Sequence, residues 1–421
     1  MSERTRTQIL TAISIFATVL IITGGFGDDS QARALAAALR GGTAPTNVAL
    51  PAAADTSASS ETADAADTGS DAADTSGTDT SSDAVDAAAP DAGAGTSETP
   101  TTTTKSKPAA VEPSATRVKH VFQIVLAGRG FEQTFGATAG SSYLNRELRP
   151  KGVLLTEAAS LGRSDVADHL ALISGQAPNA DTRAGCPTYV EKTCVYPNTV
   201  TTIADQLRST GTPWRAYVED LDKTGRATCR RPASNAVDDT ATGRPDDGYA
   251  ARHNPFIYFH SLLDLGGCDE ADGPLSRLDA DLATVKSTPA YSYIVPNLCN
   301  DGTESPCVDG AAGGTAAADA FLEAWVPKIL NSQAYKDDGV LIITYAGSVG
   351  AASDEPARNG ALVLSRFVTP GTTSDVKVDP YVLLHTAQDL LALKPLGKAV
   401  GSISLLDSVL VGARIPKPGD D

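Results

Sequence analysis

Residues 120–136, HVFQIVLAGRGFEQTFG, decide how the chain is read. Val121 to Leu126 has the density of bulky apolar side chains expected of a strand buried on both faces, and it runs straight into Ala127, Gly128, Arg129 and Gly130. A Phe-bearing turn, closed by Phe135 and Gly136, follows. In open α/β sheets, ligand-handling groups gather at the carboxyl ends of the strands. This strand end offers alanine and glycine where a cation site would need carboxylates or amides.

Working outward, further buried-strand runs occur at Val118–Leu126 (the same strand with its approach), Val153–Thr156, Trp214–Val218, Tyr291–Val295, Val340–Tyr345 and Ala361–Val368. Helical spacing of apolar residues appears at Val200–Ser209, Leu275–Val285, Ala316–Leu330 and Pro380–Leu393. Alternating strands and helices predict an α/β domain over 117–414, with a largely parallel sheet covered by helices on both faces and a short tail at 415–421.

The N-terminal third has a different composition. Residues 9–27, ILTAISIFATVLIITGGFG, carry no charge, with Arg4 and Arg6 before them and Asp28 and Asp29 after. That length spans a bilayer, and the flanking charges place the N-terminus in the cytoplasm. Residues 1–29 are therefore read as a single-pass transmembrane anchor that leaves the remainder extracytoplasmic. A signal peptide cleaved near QARALA, giving a secreted protein, is the alternative. Residues 30–116 read as a disordered linker after a short helix at 30–40, because Ala, Asp, Thr, Ser, Gly and Pro bury too little surface to offset chain entropy. Residues 51–100 hold −11 of the formal −17 charge, so the acidity belongs mainly to this segment. No basic patch suited to nucleic acid is evident; the expected partners are the membrane, through the N-terminal segment, and a cell-envelope ligand or protein.

The six cysteines all fall in the α/β region. Cys186 with Cys194 and Cys299 with Cys307 close short loops, leaving Cys229 for Cys268. Disulfides suit an exported domain, whereas the spacings lack the C-x-x-C pairs of a zinc site.

From residue 118 to about 400 the chain resembles the bacterial phosphoesterase family of phospholipases C and acid phosphatases, within the alkaline-phosphatase-like superfamily. HVFQIVLAGRGFEQTFG resembles the family's opening V-x-x-M-E-N-R-S-F-D-x-x-F-G. GRSDVADHLALISG (162–175) stands where the family has T-H-P-S-x-P-N-Y and then A-L-x-S-G. GTPWRAYVED (211–220), ARHNPFIYF (251–259), YIVPNLCNDG (293–302), GVLIITYAG (339–347) and DPYVLLHTAQDLLAL (379–393) follow in the family's order.

The resemblance implies an alkaline-phosphatase-like fold and a divalent metal, but the positions that would serve them have changed. The Glu-Asn pair falls on Ala127 and Gly128, the nucleophilic Ser on Asp165, its preceding His on Arg163 and the following Asn on Asp168. Later histidines fall on Thr303 and Pro380, and an acidic pair on Ala346 and Gly347. His169 replaces a packing Tyr. Alanine and glycine give hard cations no side-chain donor, so no metal or other cofactor is expected. Restoring oxygen donors at 127, 128, 346 and 347, with Asp165→Ser to return a hydroxyl nucleophile, is then expected to restore metal binding.

Asp165, His253 and Asp301 remain as candidate catalytic remnants, with Asn254 and Asn300 as candidate ligand-binding residues. Asp354 and Glu355 form an acidic pair beyond the empty one, read as solvated loop. The expected function is that of a membrane-tethered pseudoenzyme binding an envelope ligand, with a divergent, active phosphoesterase as the alternative.

Overall fold

A computed structural model describes residues 116–137, 139, 142–348 and 354–415. The apolar run 9–27, the helix expected at 30–40 and the linker up to Ala115 lie outside these residues. Among the described residues no helix is long and apolar enough to cross a membrane. Thr116, the last residue assigned to the linker, pairs with Arg414, and its hydroxyl donates to Leu390 O at 2.7 Å.

The six strand runs form six strands. They are β1 (His120–Ala127), β2 (Val153–Leu155), β3 (Trp214–Val218), β5 (Tyr291–Val295), β6 (Gly339–Ala346) and β7 (Ala361–Ser365). Two three-residue strands, β4 (Asp272–Pro274) and β8 (Thr372–Ser374), complete an eight-stranded sheet in the order β4-β3-β5-β1-β6-β7-β2-β8. Only β7 pairs antiparallel to its neighbours, so the sheet is mixed but mostly parallel.

β1 and β6 lie side by side in the centre and are buried along their whole length. Their side chains alternate between two cores: Val121, Val125, Val340 and Ile342 face one, and Phe122, Ile124, Leu126, Leu341 and Ile343 face the other. Helices α1 (Asp165–Ser174), α2 (Ile203–Ser209) and α4 (Pro380–Leu390) bury Leu170, Ile203 and Leu383 in the first core. Helix α3 (Thr315–Asn331) covers the second with Phe321, Leu322, Val326 and Ile329. Helices therefore cover both faces.

The helix expected at Leu275–Val285 is instead a 3₁₀ turn, Leu275–Arg277, followed by one helical turn, Leu278–Asp281. Its apolar spacing is used, since Leu275, Leu278 and Leu282 are buried. The backbone turns away at Thr284 and Ser287, whose hydroxyls each accept the other residue's N–H at 3.1 Å. All three disulfides form as paired in the sequence reading, with Cα–Cα distances of 5.9 Å for Cys186–Cys194, 5.7 Å for Cys229–Cys268 and 5.1 Å for Cys299–Cys307.

Candidate functional site

The carboxyl ends of β1 and β6 are joined backbone to backbone. Ala127 stands in register with Ala346, and Gly128 N–H donates to Ala346 O at 2.8 Å. Gly347 then turns with φ at 66°. Its N–H donates to Asp168 Oδ2 at 2.7 Å, and its carbonyl accepts Asn359 Nδ2 at 2.8 Å. Asn359 Oδ1 accepts Gly130 N–H at 3.2 Å, and Ser348 N–H reaches Arg163 O at 3.1 Å.

The closure leaves no space for a side chain at 128 or 347. A Cβ on Gly128 would lie 2.1 Å from Gly347 O, and one on Gly347 would lie 2.7 Å from Arg163 O. These glycines are packing requirements. The expectation that oxygen donors can simply be put back at 128 and 347 is thereby corrected: the volume they need is occupied by backbone.

The loop entering α1 packs directly on this closure. Ser164 caps the helix, and its hydroxyl donates to Thr182 O at 2.5 Å. Asp165 is the first helical residue. Its Oδ2 receives Arg252 Nε at 2.7 Å and lies 3.2 Å from His253 Nε2, while Oδ1 accepts Val166 N–H at 2.7 Å. Burial works against the Asp165 charge, but Arg252 and His253 outweigh it and hold the carboxyl well below the usual carboxylate range.

Asp301 approaches from the loop after β5. Its Oδ1 accepts Thr303 N–H at 2.6 Å and Oγ1–H at 2.7 Å, and its Oδ2 is 3.4 Å from the same His253 Nε2. Burial pushes the Asp301 carboxyl up to about 6. The three candidate catalytic residues thus meet at one imidazole nitrogen. His169 packs on His253 with ring centroids 5.5 Å apart and holds Tyr293 Oη at 2.6 Å through Nδ1; burial pushes its pKa down to about 3. Asp168 sits below, accepting Leu161 N–H at 2.8 Å, and burial pushes its carboxyl up to about 8 against the pull of its two N–H donors.

The other candidates lie apart. Asn254 Nδ2 donates to Asp272 Oδ2 at 2.8 Å, beside the Cys229–Cys268 bridge. Asn300 Nδ2 is held by both oxygens of Glu219, at 3.0 and 3.1 Å. Pro380 opens α4 behind the cap Asp379. Asp354, read as solvated loop, returns to the α1 loop, where it accepts Arg163 N–H at 3.1 Å and pairs with Arg183 at 3.4 Å; Glu355 is exposed.

These residues do not fit a divalent cation at the strand ends. The groups around the β1–β6 closure, the Asp168 carboxylate and the Asn359 amide included, are already paired with its backbone, and no Cβ is accommodated at 128 or 347. Among the described residues one set of three metal-type ligand atoms converges, Cys229, Cys268 and Asp272, and its two sulfurs are bonded to each other.

Sequence reasoning passed over Arg252, Asn359 and Glu219. Arg252 stands beside His253, and its basic charge was the available signal. Asn359 precedes Gly360 in a turn-type dipeptide, and nothing in sequence marks its grip on Gly130 and Gly347.

The phosphoesterase family model matches residues 131–351, more than half of the chain. Among solved structures, a protein of the alkaline phosphatase superfamily from Vibrio parahaemolyticus is 14% identical, with 72% of this chain and 76% of that one covered and a TM-score of 0.44. A phosphonate monoester hydrolase from Silicibacter pomeroyi is 13% identical, covering 72% and 78%, with a TM-score of 0.43. A lipoteichoic acid synthase from Listeria monocytogenes is 11% identical, covering 70% and 78%, with a TM-score of 0.40. All three are distant similarities. No curated protein matches at a significant level. The chain belongs to the phosphoesterase family.

Proposed function

From that membership we propose that the chain is a pseudoenzyme with an alkaline-phosphatase-like fold, tethered to the membrane by residues 9–27, whose extracytoplasmic domain binds an envelope ligand or protein without metal-dependent ester hydrolysis. The observation that carries this reading is the β1–β6 closure, where Gly128 and Gly347 pack on backbone, each at one position of the two pairs that correspond to the family's metal-side residues. Phosphoryl transfer at such a site needs positive charge to neutralise the phosphoryl oxygens and a free nucleophile. Here Arg252 and His253 are engaged with Asp165, and both oxygens of Asp165 are engaged in return.

The full-length protein, assayed with aryl phosphate mono- and diesters over a series of divalent ions and analysed for bound metal, should yield neither turnover nor stoichiometric metal. Metal-dependent turnover lost on changing Asp165 or Asp301 would overturn the reading.

One observation favours the second reading, a divergent hydrolase: His253 Nε2 stands between Asp165 and Asp301, as an acid–base group between two carboxylates would. In that case turnover should persist under chelation and vanish in His253→Ala.

A further inference from the structure

We infer that Arg252 and His253 form an oxyanion-binding pair whose occupant is the chain's own Asp165 carboxylate. Two side chains of cationic type, consecutive in one 3₁₀ turn, converge on one oxygen, Asp165 Oδ2, at 2.7 and 3.2 Å. The first-turn N–H of Val166 takes the other oxygen at 2.7 Å. The guanidinium is held in place by a further bond from its NH1 group to Ala241 O at 3.0 Å, and His253 is buried against His169. Donors fixed before a ligand arrives are what an oxyanion site requires, because the ordering cost is already met.

Without the Asp165 carboxylate the Arg252 guanidinium would lose its paired counter-charge. Asp301 is the remaining carboxylate facing His253; it is 1% exposed, and its Oδ2 has no hydrogen-bond partner. It lies against the imidazole, 3.4 Å from His253 Nε2, whereas the carboxylate paired with the Arg252 guanidinium is Asp165. A partly buried guanidinium deprived of its partner demands another anion. Asp165 and Arg252 each keep part of the side chain exposed, so a small oxyanion has access. Ser164, next in the chain, lines an open groove of about 500 Å³ with Arg163, Arg183, Ser348 and Asp354. In the native chain the site is self-filled and takes no external anion. Phosphate, sulfate and acetate share the required oxygen acceptors and serve as probes.

The test compares full-length native protein with Asp165→Ala and Asp165→Ser, with each anion titrated at constant ionic strength by calorimetry and thermal melting. The native protein should show no saturable binding. Both variants should bind inorganic phosphate or sulfate, with affinity at least about tenfold above native, the scale of one freed charge-assisted contact. Adding Arg252→Ala to either variant should remove the binding. A variant that folds only when phosphate is supplied also supports the site. Phosphate binding by the native protein equal to that of the variants, or variants that neither bind nor are rescued, overturns it. No hydrolysis is read, so the outcome is separate from that of the turnover assay.

Discussion

Two halves of one sheet edge solve the same problem in opposite ways. At the ends of β1 and β6, Ala127, Gly128, Ala346 and Gly347 contribute no polar side chain, and backbone meets backbone. At the ends of β3 and β5, Glu219, Asp220, Asn297, Asn300 and Asp301 are rich in polar groups, and each is tied to a neighbour. Glu219 accepts Asn297 N–H at 2.9 Å besides both contacts from Asn300, and Asp220 accepts Gly248 N–H at 2.9 Å and Asn297 Nδ2 at 2.7 Å. One half carries no side-chain donors, and the other carries donors that are paired internally. Empty-looking residues at a strand end are therefore not evidence of empty space.

The largest expected effect comes from forcing a side chain into the closed half. Gly347→Glu places a β carbon against backbone at 2.7 Å, at a left-handed φ, and adds a buried carboxylate. The loss should be about 5 kcal/mol, or the fold itself. Denaturant unfolding of purified protein reads it; a Gly347→Glu chain as stable as native would mean that the halves do not differ.

The paired half is also held covalently. Removing Cys229–Cys268, which spans 39 residues, should cost about 4 kcal/mol in chain-entropy terms, against about 2.5 for either eight-residue bridge. Urea midpoints of paired Cys→Ser variants give the ranking, and equal losses would contradict it.

Glu219→Ala strips the acceptor from Asn297 and Asn300, and should cost about 2 kcal/mol because partly buried donors are left unpaired. Glu219→Gln should recover part of this. If alanine proves neutral, the pairing of that half is not what holds it.

The smallest effect is with pH. Burial raises Asp168 to about 8 and Asp272 to about 7, so between pH 6.5 and 8 the folded state holds protons that the unfolded chain has released. Stability should fall as pH rises through that interval, by a few degrees in Tm. His169, depressed to about 3, acts in the opposite sense, but only as pH drops below its ordinary 6.5. A Tm that rises from pH 6.5 to 8 would show that Asp168 is charged in the fold.

The central strands were legible because β1, β5 and β6 are buried on both faces, which demands continuous apolar runs. β4 and β8 escaped notice: Asp272-Gly273-Pro274 and Thr372-Thr373-Ser374 have the composition of turns, and only an existing edge makes strands of them. At the site, Asp165, His253 and Asp301 were singled out one by one and the structure brings them together, whereas nothing in the sequence pointed to the partners of Asn254 and Asn300. An amide's side chain bonds whatever the fold brings to it, here Asp272 and Glu219, and spacing carries no trace of either. The reading of Gly128 and Gly347 as places where donors could be put back took no account of volume, because sequence records the side chain a glycine lacks, not the atoms that have taken its place.

The meeting of Thr116 with Arg414 has a mechanical consequence. Arg117 N–H bonds Ala413 O at 2.8 Å, and the Thr116 hydroxyl anchors on α4 at Leu390. Tension arriving along the chain from its N-terminal side is met first by this short clasp, three residues before β1 begins. The clasp draws on the C-terminal segment and α4, so the load divides between the two ends of the domain. β1, hydrogen-bonded to a parallel neighbour on either side, would yield only by shearing both ladders together. A pull on the chain should therefore free residues 116–117 as a small extension while the sheet, with its closed strand ends, keeps its register.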